Sequence, residues 1–239
     1  MTGVGGGSLM TPILVLLFGF HPATAVGTDL LYACVTKTVG TAVHGKQKTV
    51  DWQIVKRLAT GSVPAAIAAL LVMSRLGTSP HSAGVLNLAL GIALLFTGIS
   101  VFFRPWILSL AGQHIHEMED GRHRKWTIAL GVALGVLVSV TSVGAGALGT
   151  TALLILYPRL PVARIAASDI AHAVPLTLIA GIGHWLMGSV NFVLMAALLA
   201  GSIPGIIVGS MVAGRASDSV LRPVLAITLL VVAVRMLIG

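Results

Sequence analysis

Apolar stretches as long as a membrane is thick follow one another along almost the whole chain, and no other feature restricts its fold so strongly. A helix needs about 17 to 25 apolar residues to cross roughly 30 Å of hydrocarbon. Such runs lie near residues 22–45, 52–74, 82–103, 126–157, 161–185, 191–213 and 221–238, and a partial one ends near Phe18. Charged residues make up 9% of the chain, against roughly 25% in a soluble domain. The reading is an all-α integral membrane protein, a polytopic bundle of about eight transmembrane helices. Alternating strand patterns are not seen, which argues against a barrel. The net charge of +8 is scattered between apolar runs, so it marks topology and not a nucleic-acid surface. Cys34 is the one cysteine, which leaves no intrachain disulfide and no hint of a zinc or redox site. No cofactor is called for, and Met1-Thr2-Gly3 lacks the basic start of a cleavable signal.

The runs repeat. Gly3-Val4-Gly5-Gly6-Gly7-Ser8-Leu9 returns as Ser142-Val143-Gly144-Ala145-Gly146-Ala147-Leu148, and Pro22 answers Pro161 at an offset of 139. After a one-residue slip the offset is 140: Asp29 answers Asp169, His44 answers His184, Val50-Asp51-Trp52 answers Val190-Asn191-Phe192, and Gly61-Ser62-Val63-Pro64 answers Gly201-Ser202-Ile203-Pro204. Rare residues recurring in register point to duplication. This divides the chain into a first repeat of four helices at 1–112, a polar linker at 113–125 and a second four-helix repeat at 126–239. Residues 126–157 are too many for one straight crossing, and their small-residue segment from Ser142 to Gly149 is expected to break them into two half-helices. The first copy lacks the leading half, so either the true start lies upstream of Met1, which the repeat favours, or the chain tolerates an incomplete first span. His114, His116 and His123 lack a metal-ligand spacing and read as solvated linker residues.

Four crossings per copy, an even number, would insert both copies in the same direction, related by an axis along the membrane normal. Following the spans then puts Lys46, Lys48, Lys56, Arg57, Arg104, Arg122, Arg124, Lys125 and Arg235 on one side and Arg75, Arg159, Arg164, Arg215 and Arg222 on the other. The first set is richer, so that side is assigned to the cytoplasm of a bacterial-type inner membrane. His44 and His184 fall near the same, cytoplasmic end.

Hydrocarbon does not tolerate a helix break unless the break lines a cavity or packs in protein. Each glycine break also starts a half-helix, whose free N–H groups and partial positive charge suit an anion. Gly5, Gly6, Gly7, Gly144 and Gly146 are therefore candidate substrate-binding positions. On the second run, positions 29, 33, 36–37, 40 and 44 form one polar or small-residue stripe at the helical period. Lys37 lies well inside that run, where a charge costs a few kcal/mol unless paired or hydrated. It is the candidate anion ligand, with Thr28 and Ser168 beside it and an ion pair to Asp29 or Asp169 as the alternative. Buried carboxylates and imidazoles change protonation near neutral pH, so Asp29, Asp169, His172, His44 and His184 are candidates for proton coupling or ion pairing. No nucleophile–base pair or metal motif suggests an enzyme.

The break Gly3-x-Gly5-Gly6-Gly7-x-Leu9 followed by Pro12, the Pro22…Gly27-Thr28 segment, the basic turn into Val50-Asp51-Trp52 and the weaker second copy together resemble the sulfite exporter TauE/SafE family. The resemblance runs from Gly3 to about Val212. It is specific in the first copy and looser in the second, where Ala145 and Ala147 dilute the glycines and Thr151 replaces the proline. It implies a permease that exports small sulfur-containing or carboxylic anions such as sulfite, sulfoacetate or related sulfonates. The partners expected are that anion, membrane lipid, protons as coupling ion and no nucleic acid, and a homodimer is compatible with the sequence. The other functional class open to such a chain is a membrane accessory or sensor that binds a partner and transports nothing. Duplicated intramembrane polarity argues against it, because a scaffold gains nothing from buried charges and broken helices.

Overall fold

The computed structural model describes residues 7–46, 48–76, 80–114, 120–213 and 218–238. All regular structure among them is helical: α1 (Gly7–Leu16), α2 (Pro22–Lys46), α3 (Trp52–Leu76), α4 (Pro80–His114), α5 (Asp120–Thr141), α6 (Ala147–Leu156), α7 (Val162–Leu186), α8 (Phe192–Ala213) and α9 (Asp218–Ile238). Among the described residues, four stretches are long and apolar enough to cross a membrane: Trp52–Arg75, Gly84–Ile107, Gly121–Thr141 and Val162–Leu186. Helix α2 is as long as α7, 25 residues or about 37 Å, but carries the polar stripe. The stretch read as a linker is helical at both ends, since α4 runs to His114 and α5 starts at Asp120. His123 is thereby placed on α5, half-buried and stacked on Tyr157 with ring centroids 5.4 Å apart, not solvated as expected.

Helix starts follow from local chemistry. The Asp51 carboxylate accepts N–H groups from Gln53 and Ile54 at 3.1 and 3.4 Å, and Asn191 Oδ1 accepts that of Leu194 at 2.9 Å, so both act as N-caps. The turns before them match as well. Lys48 and Gly188 take φ of 54° and 72°, and the amides of Thr49 and Ser189 return to the carbonyls of His44 and His184.

Close helix approach rests on glycine. A β-carbon on Gly61 would overlap the carbonyl oxygen of Ile128, one on Gly131 that of Leu58, and one on Gly135 that of Ser62. The order of these contacts makes α3 and α5 parallel, backbone against backbone. Gly91 lies against Leu237 and Gly98 against Leu230, so α4 and α9 are antiparallel. Gly27 abuts His184, Gly181 abuts Leu31 and Gly40 abuts Ile170, so α2 and α7 are antiparallel too.

The break is where expected, between α5 and α6, but the chain reverses there. Ser142, Gly144 and Gly146 have φ of 58°, 112° and 124°, the left-handed region in which glycine pays no steric penalty. Helix α6 then runs back along α5. Gly144 meets Leu137, Gly149 meets Leu134, and the Tyr157 hydroxyl reaches that of Thr127 at 2.7 Å. Residues 126–157 are thus a helical hairpin whose α6 folds back along α5, not one broken helix running in a single direction.

This corrects the orientation. Arg164 Nη2 lies 3.1 Å from Asp51 Oδ2 at the start of α3, and Arg57 donates to the Tyr157 hydroxyl at 3.3 Å. Arg159 and Arg164 therefore share an end with Lys48, Lys56 and Arg57, whereas Arg75 and Arg235, in the last turns of α3 and α9, lie at the other. His44 and His184 are at opposite ends, not the same one. The helices matched by the sequence offset, α2 and α7, are antiparallel, whereas the same-direction insertion expected from the sequence needs them parallel.

Cysteine labelling tests this topology. Cys34 is buried, leaving a quiet background. Arg159→Cys is expected to react with an impermeant maleimide from the same side as Lys56→Cys, and Arg75→Cys from the opposite side. Labelling of Arg159→Cys together with Arg75→Cys would return the chain to the parallel arrangement.

Candidate functional site

Polar side chains that membrane-spanning helices have no reason to bury converge where α2 and α7 cross the α5–α6 hairpin. Asp29 on α2 is fully buried and Asp169 on α7 is 2% exposed. Asp29 Oδ2 accepts the Thr11 hydroxyl of α1 at 2.7 Å and the Ser142 hydroxyl of the hairpin tip at 2.9 Å. Asp169 Oδ2 faces the Thr150 hydroxyl at 3.4 Å, and the backbone N–H of Gly146 at the start of α6 also points to this carboxylate. Its Oδ1 packs against Gly149, where a β-carbon would overlap it. The remaining oxygen of each carboxylate, Oδ1, has no hydrogen-bond partner among the described residues. Thr11 and Thr150 lie 139 apart and Asp29 and Asp169 140 apart, so one threonine–aspartate contact occurs twice.

Lys37 is half-buried on the same face of α2. It lies within electrostatic reach of Asp169, Asp29 and His172. No hydrogen bond or ion pair within 4 Å joins it to a described residue, so the direct pair with Asp29 or Asp169 weighed from the sequence is not formed. His172 is fully buried on α7, its Nε2 2.8 Å from the Ser62 hydroxyl of α3 and its Nδ1 without a partner among the described residues.

Other expected site residues are placed elsewhere. The Thr28 hydroxyl accepts the N–H of Asn191 at 3.0 Å, and that of Ser168 accepts the N–H of Asp51 at 2.8 Å. Each holds the first turn of a helix from the opposite half, a structural task performed twice with the roles exchanged. His184 Nε2–H donates to the Ser139 carbonyl at 2.9 Å, and His44 Nδ1 is 3.4 Å from the Thr49 hydroxyl. Both sit near helix ends, away from Lys37. Gly144 and Gly146 form the hairpin tip, Gly7 is the first residue of α1, and Gly5 and Gly6 lie outside the described residues. A cavity of about 720 Å³ opens at the Arg75 end, lined by Ala65, Val72, Val132, Val136 and His184 among others, and reaches neither aspartate.

Sequence reasoning missed Thr11, Ser62, Ser142 and Thr150. Thr11 and Thr150 share the offset that paired the breaks, which was the available signal. Ser62 and Ser142 carried none, because their partners sit more than 100 positions away.

Comparison with known proteins bears on this arrangement. The chain is similar to a probable membrane transporter protein, YjnA, of Bacillus subtilis, with 39% identity over 97% of this chain and 91% of the relative. It is also similar to two further probable membrane transporter proteins of that organism: YdhB, at 26% identity over 95% of this chain and 89% of the relative, and YunE, at 22% over 97% and 89%. No solved structure matches the chain significantly. The profile of the sulfite exporter TauE/SafE family matches residues 1–236. A multi-pass helical chain with that match over nearly its full length belongs to the sulfite exporter TauE/SafE family of membrane transporters.

Proposed function

We propose that this protein is a permease for small anions of the sulfite, sulfonate or short carboxylate type, built from two inverted repeats and coupled to protons. The observation that carries the reading is Lys37: an ammonium at bilayer depth, without a hydrogen bond or direct ion pair to a described residue, within electrostatic reach of Asp169, which faces the first turn of α6. A cation at that depth is costly; Asp169 and Asp29 act on it only through space, and an anion in direct contact offsets more of the cost. The first N–H groups of α6 lack intrahelical acceptors and add a partial positive charge at the same place. Inverted repeats with discontinuous helices meeting near the midplane are a known transporter plan, and the doubled threonine–aspartate contact supports the duplication. Lys48, Lys56, Arg57, Arg122, Arg124, Lys125, Arg159 and Arg164 gather at one end against Arg75 and Arg235 at the other, which supports a cytoplasmic position for the richer end in a bacterial inner membrane. The test is flux of sulfite and of sulfoacetate into proteoliposomes, with and without a pH gradient. Saturable flux of either anion is expected. Absence of both fluxes from folded, correctly inserted protein would sink the anion reading.

A further inference from the structure

The cavity at the Arg75 end stands apart from the polar cluster, and its walls suit a different occupant. We propose that it holds a fatty acyl chain of a phospholipid from the leaflet at that end, with the lipid phosphate seated on Arg75. This goes beyond the anion-carrier reading and does not depend on it.

The cavity, of about 720 Å³, lies among α3, α5, the first turns of α4 and the turns that begin α2 and end α7. Val72, Val85, Val132 and Val136 line it and are exposed, each within a stretch long and apolar enough to cross a membrane. The opening therefore faces hydrocarbon. Polar side chains in the wall are already engaged: the Ser74 hydroxyl donates to the Leu71 carbonyl at 2.9 Å, and His184 Nε2–H donates to the Ser139 carbonyl at 2.9 Å. Apolar cavities of this kind do not fill with water, and in a bilayer the apolar matter at hand is the lipid tail. Along α3 the wall runs from Ser74 down to Ala65, about 13 Å at the helical rise. That is close to the hydrocarbon depth of one leaflet, roughly 15 Å, or half of the bilayer core.

Charge identifies the other end of the ligand. Arg75 follows Ser74 in the last turn of α3 and is exposed, and no ion pair joins it to a described residue. His21 lines the cavity at the same end. The chain's seven acidic residues lie elsewhere. Asp29 and Asp169 are buried against the α5–α6 hairpin, and Asp51 pairs with Arg164. Asp120 and Asp218 begin α5 and α9, whose last turns are the ones at the Arg75 end. Glu117 and Glu119 directly precede Asp120 in the chain, and the segment after α3, 77–83, contains no acid. An exposed arginine beside an apolar cleft, at an end without carboxylates, is matched by a lipid phosphate, which a guanidinium binds through two parallel N–H···O bonds.

The experiment is native mass spectrometry of the full-length protein in detergent, titrated with palmitoyl-oleoyl phosphatidylglycerol and, separately, with inorganic phosphate. The wild type is expected to retain the lipid and to bind phosphate about a hundredfold more weakly or worse, because phosphate has no chain to bury. Arg75→Ala is expected to weaken lipid binding about tenfold, the loss of one hydrogen bond to a charged group. Ala68→Trp, which fills the cavity from an exposed wall position, should weaken it at least as much. Arg235→Ala, an arginine of the same end that does not line the cavity, should leave it unchanged. Unchanged lipid affinity in folded Arg75→Ala or folded Ala68→Trp overturns the proposal. An equal loss in Arg235→Ala overturns it as well, as a general attraction of lipid to cations, and phosphate bound as tightly as the lipid does so by making Arg75 part of an anion entrance. If Ala68→Trp does not fold, Val72→Trp fills the same cavity and takes its place; if neither folds, Arg75→Ala decides alone. Flux is not measured here, so failure leaves the anion-carrier reading to its own test.

Discussion

Lys37→Ala is expected to lower anion affinity at least tenfold to a hundredfold and to reduce flux to background, while leaving the protein folded. A hydrogen bond to a charged group is worth about 1.5–3 kcal/mol, and in a water-poor site the ammonium also neutralises the anion it holds. Folding should survive because Lys37 makes no hydrogen bond or direct ion pair with a described residue, so its removal deletes no contact on which the helices depend. The measurements are flux in proteoliposomes and thermal unfolding in detergent. A variant with wild-type affinity would take Lys37 out of the site, and one that unfolds would make it a structural counter-charge.

Gly131→Leu is expected to prevent the native fold from forming. Its Cα lies against the carbonyl of Leu58, and Gly61 and Gly135 continue the same backbone-to-backbone seam between α3 and α5. Overpacking typically costs about 1–3 kcal/mol where side chains can yield, and here the obstacle is main chain that cannot. Separating these helices also breaks up the apolar cluster of Ile54, Leu58, Leu153, Leu154 and Ile165 at the foot of the hairpin. It would draw Ser62 from His172 as well. The variant should appear as aggregated or proteolysed material on size exclusion, whereas Gly121→Leu, with nothing within 4 Å of the new β-carbon, should behave as wild type. A monodisperse Gly131→Leu protein with unchanged melting would show that the seam does not hold α3 to α5.

Much of the site could be read in the linear chain. Asp29, Lys37, Asp169 and His172 stood out because ionisable residues inside long apolar runs are expensive, and the structure brings all four together. Thr28 and Ser168 were misleading for an instructive reason: polar residues at matched positions mark symmetry as readily as a binding site, and these two hold the starts of α8 and α3. Thr11 and Thr150 were overlooked although the repeat offset paired them, because a threonine in a helix is unremarkable until its acceptor is known.

Hydrophobic run length and residue cost, both properties of the linear chain, determined that this protein is helical, lives in a membrane, breaks between Ser142 and Gly149 and buries charge. Whether the chain runs on or turns back at that break was decided only in three dimensions. A broken helix and a helical hairpin use the same residues and satisfy the same backbone groups. What separates them is the left-handed geometry of Ser142, Gly144 and Gly146 together with the docking of Tyr157 beside Thr127 and Arg57. That single reversal turns α7 against α2 and brings Asp169 and Asp29 into reach of the same lysine.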